Sequence, residues 1–135
     1  MSAEGTERRR AGTGVGENEE QFQEIFSQAP VGIAQTGPDG QWLRVNDRFC
    51  EMLGYSTTEL PEKTIIEMTH PEDREASLTA VRKLLAGEIS SWLNEKRYIR
   101  KDGGTVWGRL FLSLVRDRDN QPRYLISVVE DITER

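Results

Sequence analysis

The sequence predicts an α+β domain built on one antiparallel sheet, with helices covering its faces. Three observations predict it. The last third holds three strand-like runs, 92–101, 105–117 and 123–132, joined by two hairpin connections, Lys101-Asp102-Gly103-Gly104 and residues 116–122. Two shorter apolar runs, 31–36 and 41–45, flank Gly37-Pro38-Asp39-Gly40, which has turn chemistry. Between the two groups, apolar residues recur at helical spacing.

The middle run of the last third alternates. Val106, Gly108, Leu110, Leu112 and Leu114 fall on one face; Trp107, Arg109, Phe111 and Ser113 fall on the other. In the third run, Leu125, Ser127 and Val129 oppose Tyr124, Ile126 and Val128. Neither face is wholly polar, so both are expected to be covered. A three-stranded meander cannot bury that surface alone, and the preceding residues must supply the covers.

Taken in order, residues 1–16 hold four glycines and few apolar groups, and are expected to be a disordered tail. Over 17–29, Phe22, Ile25, Phe26 and Ala29 fall at helical spacing before Pro30 stops the pattern. This flanking helix would either cap a sheet face of its own chain or pair with a copy of itself. Asn46 is placed as an N-cap before Phe49, Met52 and Leu53, with Gly54 placed to end that helix. Ser56 to Glu59 has capping-box spacing, predicting a second short helix, and 63–68 reads as a further helical turn. Pro71 opens the longest helix, 71–86, with Leu78, Val81, Leu84 and Leu85 as its apolar face and Gly87 at its end.

The 135 residues suit one domain with one core. The single cysteine, Cys50, excludes an intramolecular disulfide and a multi-cysteine zinc site. No apolar run has the length to cross a bilayer and no secretory signal opens the chain, so a cytoplasmic location with no membrane contact is expected. A net charge of -5 argues against a nucleic-acid partner, and the one basic cluster, Arg8 to Arg10, reads as part of a solvated tail.

Ala29-Pro30-Val31-Gly32-Ile33-Ala34, the stretch from Val45 to Ser56, and Glu59-Leu60 resemble the opening half of a PAS domain. His70-Pro71-Glu72-Asp73, Arg100 to Gly104, and Val129-Glu130-Asp131-Ile132-Thr133-Glu134-Arg135 extend the resemblance, which runs from about residue 21 to the end. The pattern is similar to the sensory PAS modules of bacterial histidine kinases and of cyclic-dinucleotide synthases and phosphodiesterases. It implies a core over 30–133, a five-stranded antiparallel sheet in spatial order 2-1-5-4-3, and the long helix on the concave face, with a ligand pocket between them. It also implies that Asp131, Ile132 and Thr133 are the signal exit, and that residues 134–135 begin a linker to an output domain.

Projected onto that architecture, Leu110, Leu112, Leu125, Ser127 and Val129 face Val81 and Leu85 across the pocket, with a plain hydrophobic core as the alternative. Tyr98 and Ser127 are the informative candidates, because a hydroxyl facing an apolar interior wants a partner. Phe22, Ile25 and Phe26 are the candidate interface of a homodimer.

His70 is the only histidine. Its place beside Pro71 at the mouth of a helix suits a cap rather than an axial ligand, so haem is not expected. Blue-light flavin members of the resembled family carry a reactive cysteine where this chain has Thr64 to Thr69, and an amide side chain where it has Val129. Covalent flavin photochemistry is therefore excluded and non-covalent flavin disfavoured; the ligand stays unnamed. Neither a nucleophile elbow nor a phosphate loop is present, so no enzyme is expected. The leading expectation is a ligand- or partner-sensing module, and the alternative is a ligand-free dimerisation module. A small isomerase-like α+β enzyme is disfavoured for want of a buried acid–base pair.

Overall fold

Five strands form a single antiparallel sheet in the order β2-β1-β5-β4-β3. They are β1 (Gly32–Thr36), β2 (Trp42–Val45), β3 (Ser91–Ile99), β4 (Thr105–Arg116) and β5 (Pro122–Asp131). The computed structural model describes residues 20–21 and 24–133. The expected tail over 1–16, Phe22 and the linker residues 134–135 lie outside the described residues. The N-terminal hairpin sits beside the last strand, Ala34 pairing with Ser127, and β4 and β5 pair along their length from Gly108↔Asp131 to Arg116↔Pro122.

Asn46 organises the N-terminal half. It is 2% exposed, and its Oδ1 accepts from the N–H groups of Ile33 (2.9 Å) and Phe49 (3.0 Å). Its Nδ2 donates to the carbonyls of Phe26 (2.8 Å) and Val31 (3.0 Å). One side chain thus caps the short helix Asp47–Leu53, extends the hydrogen bonding of β1 beyond β2, and holds the flanking helix. That short helix ends as expected at Gly54, whose φ of 80° is the left-handed conformation that glycine adopts without a Cβ penalty.

The capping box forms: Ser56 N–H donates to Glu59 Oε1 (2.9 Å) and Glu59 N–H donates to Ser56 Oγ (3.1 Å). It opens only a turn and a 3-10 segment, Leu60–Glu62, in place of the expected second short helix. Pro61 lacks the N–H that an α-helix would need there. Thr64 and Glu67 form a second reciprocal pair over a turn at 65–68.

The expected helix over 71–86 divides in two. Pro71–Asp73 is a 3-10 turn, capped by His70, whose Nδ1 accepts from Glu72 N–H at 3.1 Å; the α-helix is Arg74–Leu85. Its buried residues are Ser77, Ala80 and Leu84, whereas Leu78 is 53% exposed. Of the expected face, Leu84 is buried and Val81 packs against the core, Leu78 and Leu85 lie at its edge, and Ser77 and Ala80 extend the buried face on the other side. The helix is anchored at its N-terminus, where Asp73 accepts from the backbone N–H (2.8 Å), Nε (3.0 Å) and Nη2 (2.9 Å) of Arg97 on β3. These bonds to Arg97 hold the Asp73 carboxyl below its ordinary range.

The core lies on the inner face of the sheet, where Phe49, Leu53, Leu60, Met68, Leu84, Tyr98 and Val129 are fully buried. The outer face is not covered as expected: Leu93, Trp107 and Phe111 are exposed among the described residues, with Leu93 opposite Phe111 across β3 and β4. The segment 68–70 pairs with the edge of β3, through His70 N–H to Arg97 carbonyl (2.9 Å) and Ile99 N–H to Met68 carbonyl (2.7 Å). This protects an otherwise open sheet edge.

Gly108 is where the core is tightest. A Cβ there would stand 2.7 Å from Val129 Cγ1 and 2.9 Å from Tyr98 Cε1. Gly108→Ala is expected to lower stability by about 2 kcal/mol through overpacking, read as a lower urea midpoint at unchanged slope. An unshifted midpoint would mean that the Tyr98 ring gives way freely.

Candidate functional site

A cavity of about 350 Å³ lies between the inner sheet face, the long helix and the 64–66 turn. Six of the eight expected lining residues reach it: Tyr98, Leu110, Leu112, Leu125 and Ser127 from the sheet, and Val81 from the helix. Two do not. Val129 shares the inner face but lies against the gap left by Gly108, so it belongs to the packed core. Leu85, at the C-terminal end of the helix, is half-buried but does not line the cavity, while Leu78, exposed as it is, reaches the cavity wall.

Trp42 closes one side. Its indole Nε1 donates to the Lys63 carbonyl at 2.6 Å, which ties β2 to the turn below, and its ring meets Phe49 edge-on at 5.9 Å. Trp92, Ile65 and Ala34 continue the apolar wall. Cys50 and His70, the residues weighed for covalent and axial chemistry, do not line the cavity. Cys50 is buried in the short helix, where burial pushes its thiol pKa up, and His70 is occupied as a cap.

The residue that the sequence reading missed is Lys96. It is 4% exposed and lines the cavity. Its Nζ donates to Thr69 Oγ1 (3.1 Å) and Ser77 Oγ (3.2 Å), and stands 4.8 Å from the centre of the Tyr98 ring. Burial pushes its pKa down to about 8, the field of Asp73 opposing the shift. Among the described residues no carboxylate forms an ion pair with it. The signal was present in the sequence, because Lys96 and Tyr98 are two apart on one strand and so share a face.

Tyr98 is buried and its hydroxyl forms no hydrogen bond among the described residues; burial raises its pKa. The Ser127 hydroxyl has none among them either. The cavity thus has mainly apolar walls, with the Lys96 ammonium and the Tyr98 and Ser127 hydroxyls among the polar groups of its lining.

At the end of the sheet, residues 131–133, the expected signal exit, are latched to β4. Ile132 N–H donates to the Trp107 carbonyl (2.9 Å), Trp107 N–H donates to Thr133 Oγ1 (3.0 Å), and Asp131 Oδ1 accepts from Thr133 N–H (3.0 Å). In the flanking helix Ile25 is 67% exposed, but Phe26 does not share a free stripe with it. Phe26 is buried in its own chain, with the Arg44 guanidinium 5.3 Å from its ring centre.

The family model of the PAS fold (PAS_3) matches residues 43–129. The chain belongs to the PAS family. Its similarity to a probable diguanylate cyclase, DgcE of Escherichia coli, is 42% identity over 120 residues, 89% of this chain and 11% of that protein. With the sensor histidine kinase TmoS of Ectopseudomonas mendocina it is 25% identical over 118 residues, 87% of this chain and 12% of that one. The chain therefore spans about a tenth of the length of these relatives. Among solved structures, a PAS domain from Colwellia psychrerythraea superposes with a TM-score of 0.78 at 22% identity, covering 86% of this chain and 98% of that one. The PAS domain of an HTR-like protein from Haloarcula marismortui gives 0.71 at 27% identity, covering 93% and 100%. A PAS domain is a sensory rather than a catalytic module, and in the enzymes among the relatives the matched region is a small part of a multi-domain chain. No helix among the described residues of this PAS domain is long and apolar enough to cross a membrane.

Proposed function

We propose that this PAS domain is the sensory input of a cytoplasmic bacterial signalling protein, in which a small ligand held in the cavity alters the exit segment Asp131 to Thr133 and, through it, an output domain. The observation that carries this reading is the cavity of about 350 Å³ with polar groups in its mainly apolar wall, in a fold whose core is otherwise tightly packed. The output domain would be a cyclic-dinucleotide synthase or a histidine kinase, by analogy with the relatives. Relay requires that the ligand bind one arrangement of the sheet and exit better than the other, since equal affinity shifts nothing. Strand β4 links the two places: Leu110 and Leu112 line the cavity, and Trp107 holds the exit latch.

Native mass spectrometry of the freshly purified chain, with an absorbance spectrum of the same sample, tests the reading. The expected result is a retained small mass whose removal speeds amide exchange at Trp107 and Thr133. A clean apo mass with unchanged exchange overturns it. A second reading, a ligand-free homodimerisation module, is favoured by the exposed Leu93, Trp107 and Phe111 on the outer face and by Ile25. Its signature in the same experiment is an apo dimer.

A further inference from the structure

We propose that the cavity is a site for a small apolar monocarboxylate, whose carboxylate pairs with the Lys96 ammonium and whose body lies against the Trp42, Trp92 and leucine walls. The inference rests on the reading of the cavity as a ligand site, and adds the chemical class of the ligand. Lys96 Nζ is buried at the cavity wall, and its two hydrogen-bond partners among the described residues, Thr69 Oγ1 and Ser77 Oγ, are neutral. An ammonium has three donors, and hydroxyls supply no countercharge. A buried cation without a paired anion is costly to maintain unless an anion completes it.

The nearby carboxylates do not serve. Asp73 is committed to Arg97 through three hydrogen bonds. Asp39 lies at the solvent-exposed mouth, where its Oδ1 accepts from Gln41 N–H at 3.1 Å. Among the described residues, therefore, no carboxylate completes the ammonium, and that place suits the anion of a ligand.

The walls decide what kind of anion. A single cation matches a single negative charge, whereas a phosphate ester calls for several cations or a helix N-terminus aimed at it. The remaining lining is predominantly apolar and aromatic, which excludes a sugar or a polyacid. The Tyr98 and Ser127 hydroxyls are further donors within the same lining. A volume of about 350 Å³ limits the ligand to a short aliphatic or single-ring acid.

Titration calorimetry of the full chain with hexanoate and phenylacetate, each beside its neutral amide, tests the proposal. The acids are expected to bind roughly tenfold to a hundredfold tighter than hexanamide and phenylacetamide, from one charge-assisted pair. In Lys96→Met that advantage disappears while amide binding survives. Amides binding as tightly as the acids to the wild type would overturn the monocarboxylate and leave the ligand cavity standing. Binding of neither acids nor amides, together with a clean apo mass, would sink both. The wild-type ratio of acid to amide decides the matter even if Lys96→Met fails to fold.

Discussion

Asn46→Ala is expected to lower stability by about 4 kcal/mol, the largest effect of any single substitution considered for this domain. The side chain makes four hydrogen bonds at a 2% exposed position, two accepted and two donated. Alanine leaves the N–H groups of Ile33 and Phe49, and the carbonyls of Phe26 and Val31, without that partner. Each buried polar group left so costs about 1–3 kcal/mol, and water entering the gap recovers part of the sum. Asn46→Asp separates the contributions. It keeps the acceptor that caps the helix but turns a carboxylate toward two carbonyls, so it should recover only the cap, about 1 kcal/mol. Urea unfolding of the three proteins at unchanged slope measures this. A loss below about 1 kcal/mol for Asn46→Ala would show that the flanking helix and β1 hold together without the side chain.

Lys96→Met is expected to stabilise the ligand-free domain by about 2–3 kcal/mol at pH 7, opposite in sign to most core substitutions. The native pKa of Lys96 is about 8 against an ordinary value of 10.5. Below pH 8 the residue is charged in both states, so the whole cost of burying the ammonium is present. Between about pH 8 and 10.5 the native state has released a proton that the unfolded state still holds, so wild-type stability rises with pH relative to the variant. Above that window both states are neutral and the gap closes.

Two neighbours act on the same measurement. Asp73 favours the charged ammonium and is present in both proteins. Tyr98, whose pKa burial raises, keeps its proton in the native state after the unfolded chain loses it, so both proteins lose stability at high pH. Comparing wild type and variant at each pH removes that shared effect. Equal stability at pH 7, or a gap that does not narrow as pH rises, would mean that Lys96 is not carried as a buried ammonium. Stability withheld in the apo state is what a bound anion would restore, because a ligand that binds only the native state stabilises it.

The sequence by itself determined the parts that depend on neighbours a few residues away. The five strands, both C-terminal hairpins, the Asn46 cap, the left-handed Gly54, the Ser56–Glu59 box and the His70 cap are set by alternation, turn chemistry and side-chain-to-backbone bonds of short reach. The inward set Leu110, Leu112, Leu125 and Ser127 followed from period two once the resemblance to a PAS domain said which face is concave. What only the tertiary structure decided depends on contacts far apart in sequence. The seating of the long helix, which places Ser77 inside and leaves Leu85 off the cavity wall, is made by contacts across the fold such as that of Asp73 with Arg97, 24 residues on. Val129 is core rather than wall because Gly108 on the neighbouring strand leaves it room. Phe26 is internal because Asn46 and Arg44 hold it, and the outer sheet face has no cover among the described residues. Lys96 lies between the two: its parity was written in the strand, but a lysine reads as solvent-facing until Thr69 and Ser77 are seen to converge on its ammonium. Period and capping act within a turn of chain, whereas helix seating, cavity volume and the burial of a charge are set by which surfaces meet across the sheet.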